Sequence, residues 1–201
     1  MQADLDPRFP LVKPGVSEEE FYGLSEDSDW EYLDGRLVMS PASDLHENLF
    51  IFLMFLLRGF LDEVGGAIVR GSRYPMRLDS RWSPEPDLMV IRDERRDRVT
   101  RKCLEGPADW VIEIASDSDP EFDIREKLPR YQEAGVDEMW FVDPFARTLR
   151  VETRTEGGYR SQIFSTGRVS SAVVPGFWID AAWLWQEKLP PALGCLQKIL
   201  G

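Results

Sequence analysis

The hydrophobic positions of this chain fall into short blocks, and the spacing within the blocks changes along the sequence. Residues 1–16 carry no sustained period and read as an irregular arm. Ser17 followed by Glu20 makes a capping box, which predicts a short helix ending near Ser25 to Ser28. Trp30 to Met39 alternates around Asp34-Gly35, the strongest short signal for a β-hairpin. Ser43 or Asp44 can cap a helix that runs to about Val64, where Gly65-Gly66 stops it. The middle of that helix is apolar nearly all round, so it is expected to be buried on most sides, by a sheet or by a partner subunit.

Past the glycines the pattern shortens to strands. Ala67 to Asp79 reads as one strand, with Pro75 marking an edge or a bulge. Asp87 to Ile91 and Trp110 to Ala115 are short apolar strands, separated by a charged run from Arg92 to Lys102 that reads as an exposed loop or turn. A helix starts near Lys127 or Leu128, since Pro129 is tolerated only in a first turn, and ends at Gly135. Glu138 to Val142 is a third apolar strand. Leu149 to Arg154 and Tyr159 to Phe164 pair across Glu156-Gly157-Gly158, and a last strand is expected at Ala172 to Ile179. The order predicts an α/β fold: a mixed central β-sheet flanked by helices, with an added N-terminal hairpin and C-terminal strands. No linker divides it. Residues 17–185 read as one domain, and 186–201 as a tail packing on the domain or on a dimer partner.

Composition narrows the class. Of the 201 residues 43% are apolar and 11% aromatic, a globular rather than a disordered composition. The longest apolar run, Leu49 to Leu57, falls short of the roughly 20 residues that span a membrane. Cys103 and Cys195 stand in no metal-ligand spacing, which suits a reduced, cytoplasmic chain. The net charge of −12 argues against a general nucleic-acid coat protein. It leaves room for a nuclease, in which local charge and bound metal decide binding.

Two acids interrupt buried strands. Asp87 opens one, and Glu113 sits between Ile112 and Ile114 in another. A lone buried carboxylate costs several kcal/mol unless it is paired or meets a cation. Two carboxylates converging from neighbouring strands make an oxygen site for magnesium, which polarises phosphate oxygens. Lys127, 14 residues after Glu113, can supply the positive group that phosphodiester hydrolysis needs. Each has a plainer reading. Asp87 can be a turn-capping acid after Pro86, Glu113 can be satisfied by Arg73 or Arg77, and Lys127 can be solvated. Glu31, in the first hairpin, is read either as a further member of the acidic cluster or as a solvent-facing strand residue. His46, the single histidine, is read either as a capping residue or as a contact to phosphate or water.

The order Pro86-Asp87, Glu113 within a strand, then Lys127 resembles the PD-(D/E)XK nuclease superfamily. Over roughly residues 17–185 the chain is similar to the Uma-type restriction endonuclease family. The matching stretches are Trp30 to Gly35, Ser40-Pro41 with His46, Pro86 to Leu88, and Val111 to Ile114 with Ser116. Asp123 with Lys127-Leu128 and Tyr131, and Ala134 to Pro144, complete them. The resemblance implies a restriction-endonuclease-like fold and a DNA phosphodiesterase site. In it Asp87 and Glu113 hold Mg2+ or Mn2+ and Lys127 assists the water. The lysine expected two residues after the acid is absent, Ala115 standing there, and Lys127 takes its part from the next helix. Ser116-Asp117-Ser118 also departs from the family's usual loop. DNA is the expected substrate and a homodimer the expected assembly, through the 44–64 helix or the Trp-rich tail. The acidic balance motivates an alternative: a catalytically inactive nuclease-like module that binds nucleic acid or protein.

Overall fold

The computed structural model describes residues 11–24, 28–40, 42–71 and 73–201. The arm expected over 1–16 therefore lies partly outside the described residues, and the first helix ends at Tyr22, before the expected Ser25 to Ser28. In chain order the strands are β1 (Leu11–Pro14), β2 (Glu31–Leu33), β3 (Arg36–Met39), β4 (Ala67–Gly71), β5 (Met76–Arg77), β6 (Trp82–Ser83) and β7 (Leu88–Arg92). They continue as β8 (Leu104–Glu105), β9 (Trp110–Ile114), β10 (Glu138–Asp143), β11 (Thr148–Thr155), β12 (Gly158–Phe164), β13 (Arg168–Ser170) and β14 (Trp178–Asp180). The α-helices are α1 (Glu18–Tyr22), α2 (Asp44–Val64), α3 (Leu128–Ala134) and α4 (Ala192–Leu200).

The central sheet has six strands in the order β12-β11-β10-β9-β7-β4. Only the β9–β10 pair is parallel, with Trp140 opposite Ile112. The crossover between them holds α3, as a parallel connection requires. Side chains alternate across these strands, so Trp110, Ile112 and Ile114 join the core under α2. Val111, Met139 and Phe141 join the second core, with Leu128 and Tyr131 of α3. The resulting layers are the mixed α/β arrangement expected from the sequence.

α2 begins where Ser43 accepts from the His46 amide. Leu49, Phe52, Leu53, Leu56, Leu57, Phe60 and Leu61 are buried along one face. The all-round burial expected of this helix does not hold: Ile51 and Phe55 are 61% and 43% exposed. Its other cover is α4 of the same chain. Leu196 comes so close to Gly59 that a Cβ there would lie 2.5 Å from it. The Trp-rich tail therefore packs on its own domain.

A smaller sheet, β1-β3-β2-β6, stands beside the central one. Asp34 and Gly35 take positive φ in the β2–β3 turn, as the hairpin signal predicts. Leu11 to Pro14, expected within an irregular arm, pairs instead with β3, Leu11 opposite Met39. β4 stops at Gly71, short of the expected Asp79. The strand expected at 172–179 is formed only from Trp178. Before it, the amides of Val173 and Val174 turn onto Ser171 Oγ while both valines remain buried. The charged run after β7 folds as a 3-10 turn over Asp93–Arg98.

Candidate functional site

The register of β7 on β9 sets Leu88 opposite Ile112 and Met89 opposite Val111. One step outward along the same ladder, Asp87 meets Glu113. Asp87 Oδ2 accepts from the Ile114 amide at 2.7 Å, and the Asp87 amide lies 3.4 Å from Glu113 Oε2. Glu113 shares the face of Val111, toward α3. There Tyr131 Oη donates to Glu113 Oε1 at 2.5 Å, and Lys127 Nζ lies 3.3 Å from the same oxygen. Glu113 is 2% exposed and Lys127 3%.

Lys127 ends a single π-turn, Asp123–Lys127, that leads into α3. Asp123, Lys127 and Tyr131 recur every four residues and so present one face to the strand ends. Nζ of Lys127 meets Asp123 Oδ1 at 3.0 Å and Glu31 Oε2 at 2.9 Å, in addition to Glu113. Glu31, from β2, thus ties the small sheet to the site. It also accepts the Glu85 amide at 3.0 Å. His46, in the first turn of α2, places Nε2 3.1 Å from Asp87 Oδ1. Its buried Nδ1 makes no hydrogen bond.

The electrostatics follow from too many acids and too few cations. Burial pushes Glu113 well above the ordinary carboxyl range, against the pull of Lys127, and Asp123, Asp87 and Glu31 push it further. Burial likewise raises Glu31 and Asp123, again opposed by Lys127. Glu85 is pushed up to about 8 by burial and by Glu31 beside it. Burial alone would lower Lys127, but Asp123, Glu113 and Glu31 outweigh it and hold the ammonium charged well above its usual range. Burial also works against charge on His46. The bond to Asp87 wins, and its pKa is raised.

The five residues singled out from the sequence, Glu31, His46, Asp87, Glu113 and Lys127, line one cavity of about 780 Å³. The partners suggested for Glu113 are elsewhere: Arg73 pairs with Asp29, and Arg77 with Glu18 and Glu105. Three further contributors had no catalytic or metal role assigned from the sequence, although Asp123 and Tyr131 stand among the family-matching stretches. Asp123 had a signal, since it precedes Lys127 by four residues. Tyr131 repeats that spacing but reads equally as core. Glu85 lies between two prolines and shows no period at all.

Could this set hold a metal? Among the described residues no group of three or more histidine, cysteine, aspartate or glutamate side chains is arranged to do so alone. Asp87 and Glu113 nevertheless converge, and among the described residues Glu113 Oε2 has only the long amide contact. Each carboxylate oxygen carries two lone pairs. A hydrated magnesium ion keeps several waters and needs only one or two carboxylates. The excess of buried acid favours such a cation, so the donor set fits.

The family model described as "Putative restriction endonuclease", Uma2, matches residues 18–182. A crystal structure of "a putative nuclease belonging to DUF820" from Anabaena variabilis superposes with a TM-score of 0.71 at 17% sequence identity. That match covers 85% of this chain and 97% of the other, and at such identity the likeness is one of fold. No curated protein matches.

Proposed function

We propose, for a chain that belongs to the Uma2 family, that this cavity hydrolyses phosphodiester bonds of DNA with the help of Mg2+ or Mn2+. The observation that carries the reading is the meeting of Asp87 and Glu113 across β7 and β9, with Lys127 against Glu113. Asp87 and Glu113 hold the ion, which when bound polarises the phosphate and neutralises its charge. Glu113 is oriented for this by Tyr131, which occupies its other oxygen. Water adds its oxygen to phosphorus, the P–O bond to the leaving group breaks, and the leaving oxygen takes up a proton. Lys127 offsets the negative charge that develops at phosphorus. Glu31 and Asp123 fix where its ammonium stands. His46 orients Asp87 through Nε2.

No described helix is long and apolar enough to cross a membrane. The two cysteines are buried and unpaired, which suits the reducing cytoplasm. Pairing of two copies belongs to the reading, through the open strip of Ile51 and Phe55 on α2. Light scattering from a monomer at high concentration would remove that part.

The test of the activity is plasmid nicking. Wild-type protein with magnesium or manganese converts supercoiled plasmid to open circles, and Glu113→Gln does not. Equal nicking by both proteins, or none by the wild type, rejects the reading. A second reading, a nuclease-like module that binds without cutting, is favoured by the three-carboxylate grip on Lys127. It expects nucleic-acid binding with no nicking by either protein.

A further inference from the structure

We infer that the site takes an unpaired strand of nucleic acid, with one base unstacked into the cavity, rather than an intact duplex. The inference rests on the phosphodiesterase reading and concerns its substrate.

Three observations point the same way. The first is depth. Glu113 and Lys127 line the cavity yet are only 2% and 3% exposed. A phosphate has to enter the cavity to reach them. In a duplex each phosphate is held beside paired and stacked bases, and drawing one nucleotide inward requires unstacking it. A single strand turns in with no such cost. The second is the apolar part of the lining. Leu11, Met39, Ala42 and Phe122 line the same cavity as the acids. Phe122 is half-buried: it packs against the core of Leu33, Val38 and Trp82, the Arg125 guanidinium lies 5.9 Å from its ring centroid, and it also lines the cavity. An apolar lining with an aromatic ring in a phosphate-binding cavity suits an unstacked base, because base–aromatic stacking is tolerant of sequence. The volume, about 780 Å³, lies in the range that encloses a small ligand.

The third is charge. Acids outnumber the cations Arg73 and Lys127 seven to two along the cavity. Lys127, held by three carboxylates, can serve only the one reacting phosphate, and Arg73 pairs with Asp29. Duplex binding draws on many lysine and arginine contacts to phosphate. This cavity offers stacking in their place.

The experiment uses the full chain and labelled oligonucleotides of one sequence in three forms: single-stranded, blunt duplex, and duplex with a central unpaired bubble. Fluorescence anisotropy with calcium, which can occupy an oxygen site without supporting cleavage, reports binding. Cleavage with magnesium or manganese is measured separately. Expected is binding of the single strand and the bubble at least tenfold tighter than of the blunt duplex. Phe122→Ala should weaken single-strand binding about tenfold, and Phe122→Leu, which keeps the apolar wall and the fold, nearly as much. Neither should change manganese binding by calorimetry. Equal affinity for duplex and single strand overturns the inference, as does full single-strand affinity in Phe122→Leu. Because binding is read without cleavage, a protein that prefers single strands yet cuts nothing would reject the nuclease reading and leave this inference standing. One that binds no oligonucleotide rejects both.

Discussion

Both ends of the central strands carry buried carboxylates, and they are settled in different ways. At the start of β9 and β10 stand Asp109 and Glu138, both fully buried. Asp109 accepts from the Arg92 amide at 2.8 Å and meets the side chains of Arg92 and Arg95. Asp137 beside it faces Arg92, Arg95 and Arg154. Glu138 needs no cation. Trp140 Nε1, Ser171 Oγ and the amides of Ala172 and Val173 all donate to it. At the other end, roughly 15 Å away for strands of this length, Glu31, Glu85, Asp87, Glu113 and Asp123 gather around Lys127, with His46 on Asp87. There, among the described residues, the neutral donors to Glu113 reduce to one tyrosine hydroxyl and a distant amide. A buried acid is therefore not itself the mark of a site. The mark is an acid whose cations and donors fall short, because that end of the sheet gains from a further cation.

The sharpest break of this comparison is functional. Glu113→Gln should cut nicking on the order of a thousandfold, the scale of losing one charge-stabilising group in a closed site. Its folding stability should stay within about 1 kcal/mol of wild type or rise, since the change relieves surplus buried charge. Urea denaturation and a nicking time course measure the two. A large loss of stability would place Glu113 with Glu138 as a structural acid.

Next in size is Lys127→Met. It leaves Glu31, Asp123 and Glu113 facing one another without a counter-charge, and we expect a loss of roughly 3–5 kcal/mol. Added manganese should recover part of the melting temperature, because a divalent ion can replace the missing charge. No recovery would mean that the acids cannot take a cation. At the balanced end, Glu138→Ala strands four donors and should cost roughly 3 kcal/mol, with nicking unchanged at a temperature where the variant is folded.

How much of this contrast is legible in the sequence? Glu113 is, because a carboxylate between Ile112 and Ile114 breaks an apolar strand. Glu138 opens an apolar strand in the same manner, and nothing local separates the two. What separates them is the loop of Ser171 to Val173, 33 to 35 residues further on, which is brought to Glu138 only by the fold. The same loop accounts for the misread strand at 172–179: apolar side chains there fill the core while their amides serve a carboxylate. Lys127 is legible through its spacing and the family order. The helical π-turn that aims it is not, and neither is Glu85, whose place is set by pairing with Glu31 across 54 residues. The arm's strand at Leu11–Pro14 escapes notice because a four-residue edge strand draws its stability from β3 rather than from its own pattern.

The remaining effect is on pH dependence. Glu85 is raised from the ordinary glutamate value of 4.5 to about 8, so the folded protein keeps a proton that the unfolded chain releases. Stability from this group therefore declines as pH rises from about 4.5 to about 8 and is level above that. Melting curves across that window should slope less in Glu85→Gln than in wild type. Parallel slopes would show that the acid end is less crowded than its geometry implies.

The most direct test is a calorimetric titration of manganese into metal-free protein. The account predicts saturable heat in the wild type, its loss in Asp87→Asn and in Glu113→Gln, and its retention in Glu138→Ala while that variant is folded. No heat in the wild type, or undiminished heat after either of the first two substitutions, would contradict it.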